Sequence, residues 1–181
     1  NIETYTKGRF EKTLVNENPK FELEYKDYPV TRKIPAANEK KQHENLLIFE
    51  NDLNFYGREK LYSSYKNIFV ATLPNDARHI RLGSSIIEYK LDLVAQFCEY
   101  FPNSTILSSD LESTISSNNK FDIVYPFVGD NLTFLERLKS RTSIEYSYLF
   151  RHEDHISMQY CQKGFFQFKK NIPKILESLL C

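Results

Sequence analysis

The chain alternates between short apolar runs and longer stretches in which apolar residues recur at helical spacing. Leu46-Leu47-Ile48-Phe49 and Ile68-Phe69-Val70-Ala71-Thr72-Leu73 are near-continuous apolar runs. Runs of this length read as strands covered on both faces, the signature of a parallel sheet. A short helix is expected between them, around Tyr56–Tyr65. The clearest periodicity follows. Ile87, Leu91, Val94, Cys98 and Phe101 recur at steps of four, three, four and three, flanked by Ile86, Leu93 and Phe97. That spacing predicts a helix over Ser85–Phe101 with one apolar face. Ser85 and Glu88 match a capping box at its start, and Phe101-Pro102 ends it.

The alternation then continues. Strands are expected over Ser104–Ser108, Phe121–Val128 and Ser143–Phe150. Helices are expected over Asn131–Ser140 and Phe165–Leu180, the last with Pro173 near its middle. Ser113–Lys120 reads as a polar connection. Strands alternating with helices define βαβ units and a three-layer α/β domain, with a mostly parallel sheet over about residues 45–181. Residues 1–44 have a different rhythm. Phe10–Val15 and Phe21–Tyr25 alternate apolar with polar residues around an Asn-Glu-Asn-Pro turn, and Pro35–Glu44 is apolar-poor. This segment reads as a β-rich N-terminal arm and linker, able to pack on this chain or to add strands to a partner's sheet.

Composition narrows the possible functions. Of 181 residues, 24 are Lys or Arg and 24 are Asp or Glu, for a formal net charge of zero. The balance holds locally too, with 11 of each sign in residues 1–60 and 13 of each in the remainder. Neutrality argues against a protein that works mainly by electrostatic attraction to nucleic acid. No apolar run reaches the length of a membrane span, and no signal peptide is visible. Cys98, Cys161 and Cys181 form no pairing pattern, which fits a cytoplasmic or other reducing compartment. Five glycines leave no P-loop and no GxGxxG turn, so no cofactor is expected.

In a parallel sheet, ligands gather at the carboxyl ends of strands. The stretches to inspect are therefore Pro74–Asp76, Gly83–Ser85, Ser109–Asp110, Gly129–Asn131 and Arg151–His155. Within them Ser85, Asp130 and His155 fall in the chain order nucleophile, acid, base. Arg81-Leu82-Gly83-Ser84-Ser85 before a long helix is similar to a strand–elbow–helix turn. Tyr125–Asp130 is similar to an acid-bearing turn, and Tyr146–His155 to a histidine loop before a closing helix. In these features residues 67–181 resemble the α/β-hydrolase superfamily. Ile87 stands where the family elbow has its second glycine, and no HGGG-type loop is present.

The resemblance implies a serine esterase, thioesterase or acyl-transfer enzyme acting on a small-molecule or lipid-like ester. Ser85 would attack, His155 would take its proton, Asp130 or alternatively Asp110 would orient the imidazole, and the Ile86 amide would donate to the oxyanion. An N-cap role alone also accounts for Ser85. The competing class is a non-enzymatic binding or scaffold module with a protein partner. Two further patterns are weaker. Asp76, Glu88 and Lys90 have the loose spacing of a PD-(D/E)xK nuclease but need Ile86–Lys90 to be a strand. His79-Ile-Arg-Leu82 and His155-Ile-Ser-Met158 resemble 2H phosphoesterase motifs, which need both histidines on strands. His152-Glu-Asp-His155 lacks a remote third ligand, so no metal site is expected and a solvated loop is the simpler reading.

Overall fold

The computed structural model describes residues 35–36, 38–108, 111–161 and 164–180. The chain divides into two units, Asn1–Lys33 and Ile34–Cys181, and the described residues all belong to the second. The strands expected over Phe10–Val15 and Phe21–Tyr25 lie outside them, as do Ser109, Asp110 and Cys181.

Five parallel strands form one sheet in the order β3-β2-β1-β4-β5: β1 Asn45–Phe49, β2 Asn67–Ala71, β3 Ser104–Leu107, β4 Lys120–Val124 and β5 Glu145–Leu149. The helices are α1 Glu59–Ser63, α2 Ser84–Tyr100, α3 Leu111–Asn118, α4 Asp130–Arg141, α5 His152–Gln159 and α6 Phe165–Leu180. This is the three-layer α/β architecture expected from the alternation. The chain builds outward from β1 to β3, then returns to lay β4 on the other side of β1. Right-handed crossovers require the helices of the two halves to cover opposite faces. They do. Leu46, Ile48, Ile68 and Val70 pack with Tyr62 of α1 and Val94 and Phe97 of α2. Leu47, Phe49, Phe69, Phe121 and Ile123 pack with Leu111 and Ile115 of α3 and Leu135 and Leu138 of α4. Alternate residues of one strand thus serve two cores, which is why β1 and β2 are apolar throughout.

Several local expectations are corrected. Ser113–Lys120 is not a polar connection but falls largely within α3, anchored by Leu111 and Ile115 one helical turn apart. Strand β4 stops at Val124, and Tyr125–Val128 turns away. The capping box does not form: α2 begins one residue earlier, with Gly83 as its N-cap and no side-chain cap. Ser85 therefore sits inside the first turn. Only Val94 and Phe97 of α2 are fully buried, with Phe101 just beyond its end, while Ile86, Leu91 and Leu93 are exposed. His152–His155 opens α5 and is not a loop.

The polar stretch ahead of β1 is tied to the sheet. Asn38 forms a parallel bridge with Leu149, its N–H donating to the Tyr148 carbonyl at 2.8 Å while its carbonyl accepts the Phe150 N–H at 3.2 Å. The N–H groups of Gln42 and His43 donate to Asp122 Oδ2 of β4 at 2.8 and 3.2 Å, and Tyr65 Oη donates to the same oxygen at 2.7 Å. Three donors thereby compensate one buried carboxylate oxygen. Burial, followed by the hydrogen bond to Asp122, raises the Tyr65 phenol far above its ordinary range.

Candidate functional site

Strand order reverses between β1 and β4, since the chain leaves β1 toward β2 and comes back on its other side. The two connections that follow these strands diverge to opposite faces and leave a crevice at their carboxyl ends. A cavity of about 350 Å³ occupies this position. The segment after β1 supplies Asn51 and Asp52. The β4–α4 turn supplies Tyr125, Phe127 and Asn131, and the end of β5 with α5 supplies Arg151 and Asp154.

The β4–α4 turn has an unusual backbone. Phe127 has φ 27° and Gly129 φ 81°, both left-handed, and the Val128 N–H bonds back to the Pro126 carbonyl. Left-handed geometry is easy for Gly129 but costs an aromatic residue such as Phe127. Packing holds it there: the Phe127 ring lies 5.3 Å from that of Tyr125 and 5.1 Å from that of Phe150. The turn delivers Asn131 to the second position of α4, whose first intrahelical bond runs from Thr133 N–H to Gly129 O at 3.1 Å. The amides before it form the free, positive end of the helix.

Asn131 is 1% exposed, and neither its amide nitrogen nor its amide oxygen has a hydrogen-bond partner among the described residues. Burying an unpaired amide costs about 1–3 kcal/mol by mutational measures. Around it the charges are arranged in opposition. Arg151 pairs with Asp52 and donates to the Asn54 carbonyl at 3.3 Å. Arg58 donates to the Phe150 carbonyl and leaves one buried guanidinium nitrogen unpaired. Desolvation raises the Asp154 carboxyl above its usual range, opposed by Arg151 and reinforced by Glu153. A carboxyl that holds its proton more tightly beside a cavity can serve as a proton carrier.

The residues singled out from the sequence are distributed differently. Ser85 is exposed in the first turn of α2, and its hydroxyl makes no hydrogen bond among the described residues. The residues before it form no strand, so the expected strand–elbow–helix is absent. The Ile86 N–H, the expected oxyanion donor, is occupied by the Gly83 carbonyl at 3.1 Å. Asp130 Oδ1 accepts the His79 N–H at 3.1 Å and lies 3.3 Å from the His79 ring, so its partner is His79. His155 is exposed on α5. No hydrogen bond joins Ser85, Asp130 and His155, and Asp110 lies outside the described residues.

The strand that the nuclease spacing requires is the interior of α2. Its Lys90 bonds Glu50 at 3.2 Å and also Asn51. Neither His79, in a loop, nor His155, in a helix, lies on a strand as a phosphoesterase pair would need. Among the described residues no cluster of three or more His, Cys, Asp or Glu could hold a metal ion. No described helix is long and apolar enough to cross a membrane.

Fold and crevice together define a doubly wound α/β domain with its cavity at the topological switch point. The chain matches no protein-family model and no curated protein. Inspecting the residues after each strand picks out the stretches containing Asn131, Arg151 and Asp154. It passes over Asp52, which follows β1, and the signal was available: Glu50-Asn51-Asp52 is an abrupt polar cluster ending an apolar strand.

Proposed function

We propose that this domain binds a small heterocyclic ligand in the β1/β4 crevice. The observation that carries the reading is Asn131, buried with both amide atoms unpartnered at the wall of a cavity of about 350 Å³. A carboxamide offers a donor beside an acceptor, which matches a ring with an amide- or amidine-like edge. Tyr125 and Phe127 supply aromatic surface for the ring. Cavities of this size suit small ligands, and a few convergent polar groups within an apolar wall fix their orientation.

The lining argues against a phosphate. Asp52 already neutralises Arg151, Asp154 adds a second carboxyl, and Gly57 is the single glycine between β1 and α1. The ligand is neutral or weakly cationic. Saturation-transfer NMR with adenosine, uridine and nicotinamide tests the reading. Binding of at least one, lost in Asn131→Leu with the fold intact, supports it. Equal signals from wild type and variant overturn it.

A second reading, acyl transfer at Ser85, is favoured by one feature. The hydroxyl is exposed near the free N-terminus of a 17-residue helix, where the dipole favours an oxyanion. Its test is separate. Fluorophosphonate labelling of Ser85, with ester turnover lost in Ser85→Ala, would establish it, and absence of both removes it.

A further inference from the structure

A second cavity, of about 190 Å³, opens at the carboxyl ends of β1, β2 and β3, against the first half of α2. None of its lining residues also lines the β1/β4 cavity, so the two sites stand or fall separately. The loop after β2 builds much of it. Asn75 exchanges two hydrogen bonds with the backbone of Leu82, at 2.9 and 3.0 Å, and closes that loop. Within it a short 3-10 turn, Asn75–Ala77, brings Arg78 back against the strand ends, where its Nη2 donates to the Leu73 carbonyl at 2.7 Å.

Three charged side chains line this cavity, and they do not balance. The side chain of Glu50, just past β1, is 3% exposed, and that of Arg78 is 6% exposed. Arg78 Nη2 and Lys90 Nζ of α2 both pair with the same Glu50 oxygen, Lys90 at 3.2 Å. One carboxylate therefore faces two cations, and the lining carries an excess of one positive charge. The remaining Arg78 nitrogens have no hydrogen-bond partner among the described residues, and Nε is buried. Buried cations are ordinarily matched by anions, and these two have one between them. The rest of the wall is largely apolar: Leu73 and Pro74 from the loop, Ile87 and Leu91 from α2. Leu91 leaves 44% of its surface exposed.

We infer that this cavity binds a small aliphatic monocarboxylate. Its single charge neutralises the excess, its oxygens accept from Arg78 and Lys90, and its hydrocarbon end lies on Leu73, Ile87 and Leu91. The volume falls below the roughly 300–1,000 Å³ of drug-sized sites, which limits the ligand to a short chain. A phosphate dianion fits poorly, because it overcompensates the charge and leaves the apolar wall uncovered.

Saturation-transfer NMR on the full chain, with isovalerate as the probe, tests the inference. Isovalerate should bind, isovaleramide, the same skeleton without the charge, should not, and excess inorganic phosphate should not displace the acid. Lys90→Met leaves Glu50 and Arg78 as a neutral pair. It should weaken isovalerate binding about tenfold, the loss of one charge-assisted hydrogen bond. Leu91→Glu, at an exposed position, should abolish binding with an unchanged circular dichroism spectrum. No isovalerate signal from the wild type overturns the inference. So do equal signals from the acid and its amide, or displacement of the acid by phosphate. Binding that is unchanged in either folded variant overturns it too.

Discussion

Two polar side chains, one within β4 and one beyond its carboxyl end, are both 1% exposed, and the structure treats them in opposite ways. Asp122, within the strand, receives three donors on Oδ2, two from the backbone that leads into β1 and one from Tyr65, while its Oδ1 has no partner among the described residues. Asn131, beyond its carboxyl end, receives none. Equal burial with unequal compensation separates two purposes. The first group fastens the entering chain to the sheet. The second holds hydrogen-bonding capacity that the fold leaves unused, at a cost that makes sense where a ligand completes it.

The largest effect that should separate them is on stability. Asp122→Ala strands two N–H groups and a phenol, and should lower the unfolding free energy by about 3–5 kcal/mol in urea denaturation. A loss below about 1 kcal/mol would show that the fastening is illusory. Asn131→Leu should move the other way, gaining about 1–2 kcal/mol by removing an unpaired amide from an apolar site. A smaller effect comes from Tyr65→Phe, about 1 kcal/mol at neutral pH, since one hydrogen bond is lost.

Tyr65 also carries a pH signature. Its phenol is held above its unfolded value near 10, so its contribution is fully present below that pH. It is lost as pH rises further, because the unfolded chain releases a proton that the folded one keeps. The wild-type melting temperature should therefore fall more steeply above pH about 10 than that of Tyr65→Phe. Parallel curves would remove the linkage.

The smallest effect concerns Asp154, whose pKa is raised chiefly by desolvation. Its charge opposes folding at neutral pH, and the penalty is relieved as pH falls through its folded pKa. Asp154→Asn should raise the neutral-pH melting temperature slightly and flatten its dependence on pH between about 4 and 7. A decrease in melting temperature would mean that the Asp154 charge is itself stabilising.

How far the sequence discloses this molecule differs between elements for physical reasons. Strands buried on both faces leave unbroken apolar runs, so β1 and β2 are plain from Leu46–Phe49 and Ile68–Ala71. Helix α3 is concealed because only Leu111 and Ile115 anchor it and the rest is Ser, Thr, Glu and Asn. Helix α5 is concealed because His152–Gln159 buries no residue fully and leaves little periodic pattern.

The site depends on a level that periodicity cannot supply. Which strands are neighbours follows from pairings such as Leu46 with Ile68 and Leu46 with Asp122, far apart in the chain. The order Ser85, Asp130, His155 is a statement about chain position. The sheet order sends Asp130 to His79 instead, and makes the gap between β1 and β4 the place where Asp52, Asn131, Arg151 and Asp154 converge. The stripe on α2 was legible as apolar periodicity. Its division into a buried and an exposed set was not, because helix spacing alone does not say which side faces the sheet.

The account turns on Asn131, and one paired measurement probes it most directly: thermal unfolding of wild type and Asn131→Leu, each with and without adenosine, uridine or nicotinamide. Unused hydrogen-bonding capacity predicts that the free variant melts higher than free wild type, while only wild type gains stability from a ligand. A variant that melts lower and responds to ligand as wild type does would contradict it.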